Sequence, residues 1–148
     1  MVNRALTLAV GFVIGAGWFF TTTAQPARRY VTPRSAANPA SATQPPFSGA
    51  VGVGDTLYLS GMLGTGDTAE AAATNALTSI QNTLKQAGMT MDDLVSVQIF
   101  TPDVANYDGF NKVYRTFLTQ EYPARAFLGS GPLLNGARFE VMGIAVKK

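Results

Sequence analysis

An apolar run free of charge opens this chain. Behind Arg4, the residues from Ala5 to Ala27 carry no ionisable side chain, and only Thr7 interrupts the stretch from Ala5 to Phe20. A domain of about 100 residues has no place for such a run except as a core helix, and no polar alternation around it marks an amphipathic one. The run is therefore read as lying outside the folded domain. A basic start, an apolar centre and the small-residue exit Thr21-Thr22-Thr23-Ala24 fit a secretory signal, with cleavage after Ala24. The same stretch is long enough to span a bilayer, with Trp18-Phe19-Phe20 at an interface, so residues 5–24 also fit an uncleaved anchor. It is too continuously apolar for a mitochondrial presequence. The expectation is an exported protein, periplasmic or secreted, or one anchored by residues 5–24. Arg28, Arg29 and Arg34 count the other way, because basic residues after a span favour the cytoplasmic side. Residues 25–45, rich in Pro, Ala, Ser, Thr and Asn, read as a flexible linker, which leaves 46–148 as the domain.

The domain has neither His nor Cys. Imidazole and thiolate chemistry are excluded, as are disulfides, and a zinc or transition-metal site is not expected. Catalysis would rest on carboxylates, guanidinium, hydroxyls and amides. Pro123-Ala124-Arg125, followed by Glu140, supplies an arginine able to fork a carboxylate and a glutamate able to activate water. The basic pI of 9.1 comes from the leader, since every acid lies at or after Asp55. Beyond residue 54 seven basic residues face nine acidic ones, which argues against a nucleic-acid partner. Neither a phosphate loop nor G-x-G-x-x-G is present.

Phe47 to Val53 and Thr56 to Ser60 read as strands around the Gly54-Asp55 turn. Gly61, Gly64 and Gly66 mark a loop, and Asp67 with Glu70 reads as a capping box. Ala73, Leu77, Ile80, Leu84 and Ala87 then recur at helical spacing up to Gly88. Leu94 to Thr101 alternates as a strand. A second helix places Tyr107, Phe110, Val113, Tyr114 and Phe117 on one core stripe. Ala124 to Leu128 and Arg138 to Val146 close the fold as strands. The order β-β-α-β-α-β-β predicts an α+β domain, with two helices packed on one mixed sheet. Strands apolar on both sides, with only 14% charged residues in the chain, predict that another subunit covers the second sheet face.

Five motifs carry a family resemblance in order and spacing: Pro46-Phe47-Ser48-Gly49-Ala50-Val51, Leu57-Tyr58-Leu59-Ser60-Gly61, Phe110-Asn111-Lys112-Val113-Tyr114, Pro123-Ala124-Arg125, and Phe139-Glu140-Val141-Met142-Gly143-Ile144-Ala145. From Pro46 to the C-terminus the chain resembles the Rid (reactive intermediate deaminase), or YjgF, family. The resemblance implies a chorismate-mutase-like fold, a homotrimer, and active sites in the clefts between subunits. It further implies hydrolysis of small 2-imino acids, such as iminobutanoate and iminopropanoate, to 2-keto acids and ammonia without a cofactor or metal. Arg125 matches the family's substrate-binding arginine and Glu140 its water-positioning glutamate. Their structural alternatives are a surface arginine after Pro123, and an ion pair of Glu140 with Arg138 or Arg125. Ser60 matches a cleft position or caps its strand. Asn111 either bonds a loop or reaches the cleft. The chain departs from the pattern at Phe47, where a tyrosine is usual, at Met62, where a glutamine is frequent, and at Phe127, where many imine-active members carry a small residue. The loop Gly64-Thr65-Gly66-Asp67 is also short. These departures predict a more apolar, narrower cleft around Phe47 and Phe127. Two functions stay open: a deaminase acting on 2-imino acids, and a trimer that binds a small carboxylate without chemistry.

Overall fold

The computed structural model describes residues 26–32 and 45–148. The proposed signal or anchor at 1–24 and most of the linker lie outside the described residues. Within them runs one six-stranded sheet with two helices. In chain order these are β1 (Arg28–Val31), β2 (Ala50–Val53), β3 (Thr56–Gly64), α1 (Ala69–Gln86), β4 (Leu94–Thr101), α2 (Tyr107–Phe117), β5 (Ala124–Gly129) and β6 (Phe139–Val146). The strand order is β1-β2-β3-β6-β4-β5, antiparallel throughout except for the parallel β4–β5 pair, so the sheet is mixed as expected.

β1 corrects the domain boundary. Arg28–Val31, assigned to the flexible linker, pairs antiparallel with β2 along its length, from Arg28 opposite Val53 to Val31 opposite Ala50. The strand was hidden by composition: four residues, two of them arginine, show no alternation, and only an available sheet edge selects them. The sheet thus begins at Arg28, and residues 25–27 alone separate it from Ala24.

Period-2 alternation sorts the sheet into two faces. Leu57, Leu59, Val97, Ile99, Phe139, Val141 and Ala145 point towards the helices and are buried. Tyr58, Met142 and Val146 point the other way and are exposed, Tyr58 by about half and the other two by more than a third. α1 adds Ala72, Ala73, Ala76, Leu77, Ile80 and Leu84 to the core. Its alanines let it lie close to the sheet: a side chain at Gly64 would run into the Ala72 carbonyl. Burial of each large core side chain contributes about 1.5–3 kcal/mol. The cap of α1 is Thr68, not Asp67. The Thr68 hydroxyl accepts from the Ala71 N–H at 3.1 Å, while the Asp67 carbonyl accepts from Arg138. β3 extends through the expected glycine loop to Gly64, because a bulge at Ser60-Gly61 resets its register against β6.

Candidate active site

α2 and β5 build the first half of the site. Register pairs Arg125 with Val97 and Phe127 with Ile99, both core-facing, so Arg125 projects to the helix side of the sheet. There its guanidinium donates to Asn111 Oδ1 at 2.7 Å and to the Tyr107 hydroxyl at 3.4 Å. It also lies 5.0 Å from the ring centre of Tyr114 and 5.7 Å from that of Tyr107. Asn111 is buried, and accepting a charge-assisted hydrogen bond satisfies its oxygen while fixing the arginine's rotamer. These helix residues follow one stripe: 107, 111, 114 and 115 recur at i, i+4, i+7 and i+8. With Tyr122, Pro123 and Arg125 they line an open pocket of about 250 Å³. Arg125 has no carboxylate partner among the described residues, so its remaining donors face the pocket.

Tyr114 sits at the pocket's inner wall, buried and stacked on Phe110. Burial pushes its hydroxyl pKa up to about 12, partly countered by the Arg125 charge. The hydroxyl is therefore a protonated donor at neutral pH.

The second half lies on the opposite face. Phe139 and Val141 are buried towards the helices, so Glu140 between them projects away from α2. The bulge makes room for it: a Cβ on Gly61 would collide with Glu140 Oε1 and lie 2.8 Å from its Cδ. Beside this, Ser60 Oγ donates to the Ser48 carbonyl at 2.6 Å, next to half-exposed Phe47. The expected alternative for Glu140 is not realised. Arg138 is spent on the carbonyls of Gly66 and Asp67, at 2.9 and 3.0 Å, and Arg125 is across the sheet.

The sequence-predicted residues thus fall into two groups that one chain does not bring together. Arg125 and Asn111 form one, and Glu140, Ser60 and Phe47 the other. Phe127 belongs to neither. Within the chain its ring packs edge-on against Tyr107 of α2, Phe110 and Phe139, with ring centres 5.1, 5.8 and 6.3 Å away, and does not line the Arg125 pocket. Sequence reading placed Tyr107 and Tyr114 in a core stripe and missed Arg115, Tyr122 and Gly61. The i, i+4, i+8 recurrence of Tyr107, Asn111 and Arg115 was the signal available.

A family model described as "Endoribonuclease L-PSP" matches residues 36–147. A protein named 2-iminobutanoate/2-iminopropanoate deaminase from Bos taurus is 35% identical over 111 residues, covering 69% of this chain and 80% of that protein. One of the same name from Dermatophagoides farinae is 34% identical over 110 residues, covering 68% and 85%. Among solved structures, a YjgF-family protein of Neisseria meningitidis superposes with a TM-score of 0.72 at 26% identity, covering 84% of this chain and 98% of its own. A Mycobacterium tuberculosis protein of the YjgF/YER057c/UK114 family gives 0.70 at 26% identity, with 81% and 99% covered.

Proposed function

The chain belongs to the Rid/YjgF family, and on that premise we propose that it hydrolyses 2-imino acids to 2-keto acids and ammonia at a site shared between two copies of the chain in a homotrimer. The observation that carries this reading is the Arg125 guanidinium, held by Asn111 and Tyr107 at an open pocket with no carboxylate of its own. Such a fork matches the carboxylate that every 2-imino acid presents beside its imine carbon. Two curated relatives at 34–35% identity carry the name of this activity.

The chemistry asks little more. A protonated imine carbon is already electrophilic. Water adds to it as a carboxylate base takes one proton, giving a carbinolamine, which then expels ammonia and leaves the keto group. Glu140, without an ion pair among the described residues, is the base. Because Arg125 and Glu140 lie on opposite faces of one sheet, the glutamate that meets a given Arg125 belongs to a second copy. The exposed Tyr58, Met142 and Val146 around Glu140 give that copy an apolar surface to cover.

Subunit complementation tests this directly. Arg125→Ala and Glu140→Gln should each be inactive on imines made in situ by an amino-acid oxidase. Co-refolding the two variants should restore activity, because some clefts would then pair an intact Arg125 with an intact Glu140. No recovery in mixtures that light scattering shows to be trimers would defeat the shared site. No turnover by the unaltered chain would defeat the hydrolytic reading. Export through residues 1–24 belongs to the same proposal. A fusion of residues 1–46 to a reporter active only after export tests it, and full-length reporter soluble in the cytoplasm would refute it.

A further inference from the structure

Arg125 is not the only guanidinium at its pocket. Arg115 lines it too, one turn along α2 from Asn111 and on the same stripe. No carboxylate is among the lining residues, and the one ion pair found among the described residues, Lys112 with Glu70, involves neither arginine. Arg138 shows the contrast, since its donors are taken up by two backbone carbonyls. Two cations at one small pocket are also not a background property of this domain. Beyond residue 54 it carries more acids than bases, yet two of its three arginines there line this pocket. Like charges brought together repel unless an anion lies between them. A monocarboxylate on Arg125 would leave Arg115 without a partner.

Resting on the imine-hydrolysis reading of this pocket, we propose that its substrate is a 2-imino acid bearing a second carboxylate, the imine of an acidic amino acid. Arg125 takes the carboxylate beside the imine carbon and Arg115 takes the distal one. Tyr114 gives independent support. It lines the pocket, and its buried hydroxyl has no hydrogen-bond partner among the described residues, so a donor stands ready for an anionic ligand's oxygen. The reaction balances as before: one water adds to the imine carbon, the C–N bonds break, ammonia leaves with its proton, and the distal carboxylate is unchanged.

The test compares imines generated in situ from aspartate and glutamate with those from alanine and 2-aminobutanoate, using the full chain in detergent. Rates are taken above the uncatalysed hydrolysis. The dicarboxylic imines should show the higher kcat/KM. Arg115→Ala should lower the dicarboxylate-to-monocarboxylate ratio roughly tenfold, the low end for a charge-assisted contact because Arg115 is exposed. Arg115→Lys should keep part of the ratio, and raising salt should shrink it. An equal or higher kcat/KM for the alanine imine, or a ratio unmoved in Arg115→Ala, would overturn the proposal. If no imine is turned over, the hydrolytic reading falls, and calorimetric titration with 2-oxoglutarate and pyruvate decides the rest. Tighter, Arg115-dependent binding of 2-oxoglutarate would uphold a dicarboxylate pocket, and equal binding of the two would refute it.

Discussion

The two faces of the sheet carry the same kinds of residue and meet different fates. On the helix side Leu57, Leu59, Phe139 and Val141 are buried to within a few per cent. On the other side Tyr58 is 51% exposed and Met142 38%, although they alternate with those same residues along β3 and β6. The functional groups divide in the same way, with Arg125 and Asn111 on the covered face and Glu140 on the open one. The difference teaches that the helix face is completed by the chain itself, whereas the open face is left uncovered by it and is the surface that the proposed assembly would use. A site needing both an arginine and a glutamate then depends on assembly.

The largest expected effect breaks the covered face. Phe139 is fully buried against Phe110 and Phe127, so Phe139→Ala should destabilise the fold by about 3–5 kcal/mol in denaturant unfolding. Its open-face neighbour on the same strand should behave differently, with Met142→Ala costing under about 1 kcal/mol in the dissociated chain. Equal costs would show that the two faces are not energetically distinct.

Next in size, Arg125→Ala should lower kcat/KM on imines by roughly 30- to 4000-fold, the range for removing a charged partner worth about 2–5 kcal/mol. Stability should fall by about 1–3 kcal/mol, because the buried Asn111 oxygen loses its donor, so activity is compared in protein shown to be folded. Most of the activity surviving in a folded Arg125→Ala protein would remove the clamp from the covered face.

On the open face, Gly61→Ala should displace the Glu140 carboxylate without changing its chemistry. A misplacement of about 1 Å is enough to cost up to about 100-fold. Glu140→Asp, shorter by one methylene, should partly relieve the clash in the double variant. Full activity in Gly61→Ala would mean that Glu140 does not act from the position seen here.

The smallest effect is a pH response of the covered face. Burial raises the Tyr114 pKa to about 12, above the usual value of 10.0. Folding therefore favours the protonated form. The stability it contributes is fully present below pH 10 and is lost as pH rises towards 12. Tyr114→Phe should flatten this alkaline slope, and an unchanged slope between pH 10 and 12 would show that Tyr114 is not its source.

Much of the fold was legible because it rests on period. The alternation of Val97 and Ile99 and the helical recurrence of Leu77, Ile80 and Leu84 are local patterns that burial obeys, whereas Val95 is left exposed where a register shift against β6 buries Leu94 instead. β1 was not legible, since Arg28–Val31 has no pattern of its own and is a strand only because β2 offers an edge. The cap moved from Asp67 to Thr68 for a similar reason: a distant arginine, Arg138, holds the Asp67 carbonyl.

The candidate site divides along the same line. Sequence alone determined which groups are available: a chain without His or Cys, an arginine after Pro123, a glutamate inside a strand, and an asparagine on a helix. Only the tertiary structure decided where they point. It joined Asn111 to Arg125, turned Phe127 into an aromatic cluster, brought Arg115 to the pocket, and set Glu140 over Gly61 on the far side of the sheet. The physical reason is that identity and local periodicity are properties of neighbours in the chain. A side chain's face, partner and free space are set by strand pairing and helix packing between residues far apart in sequence.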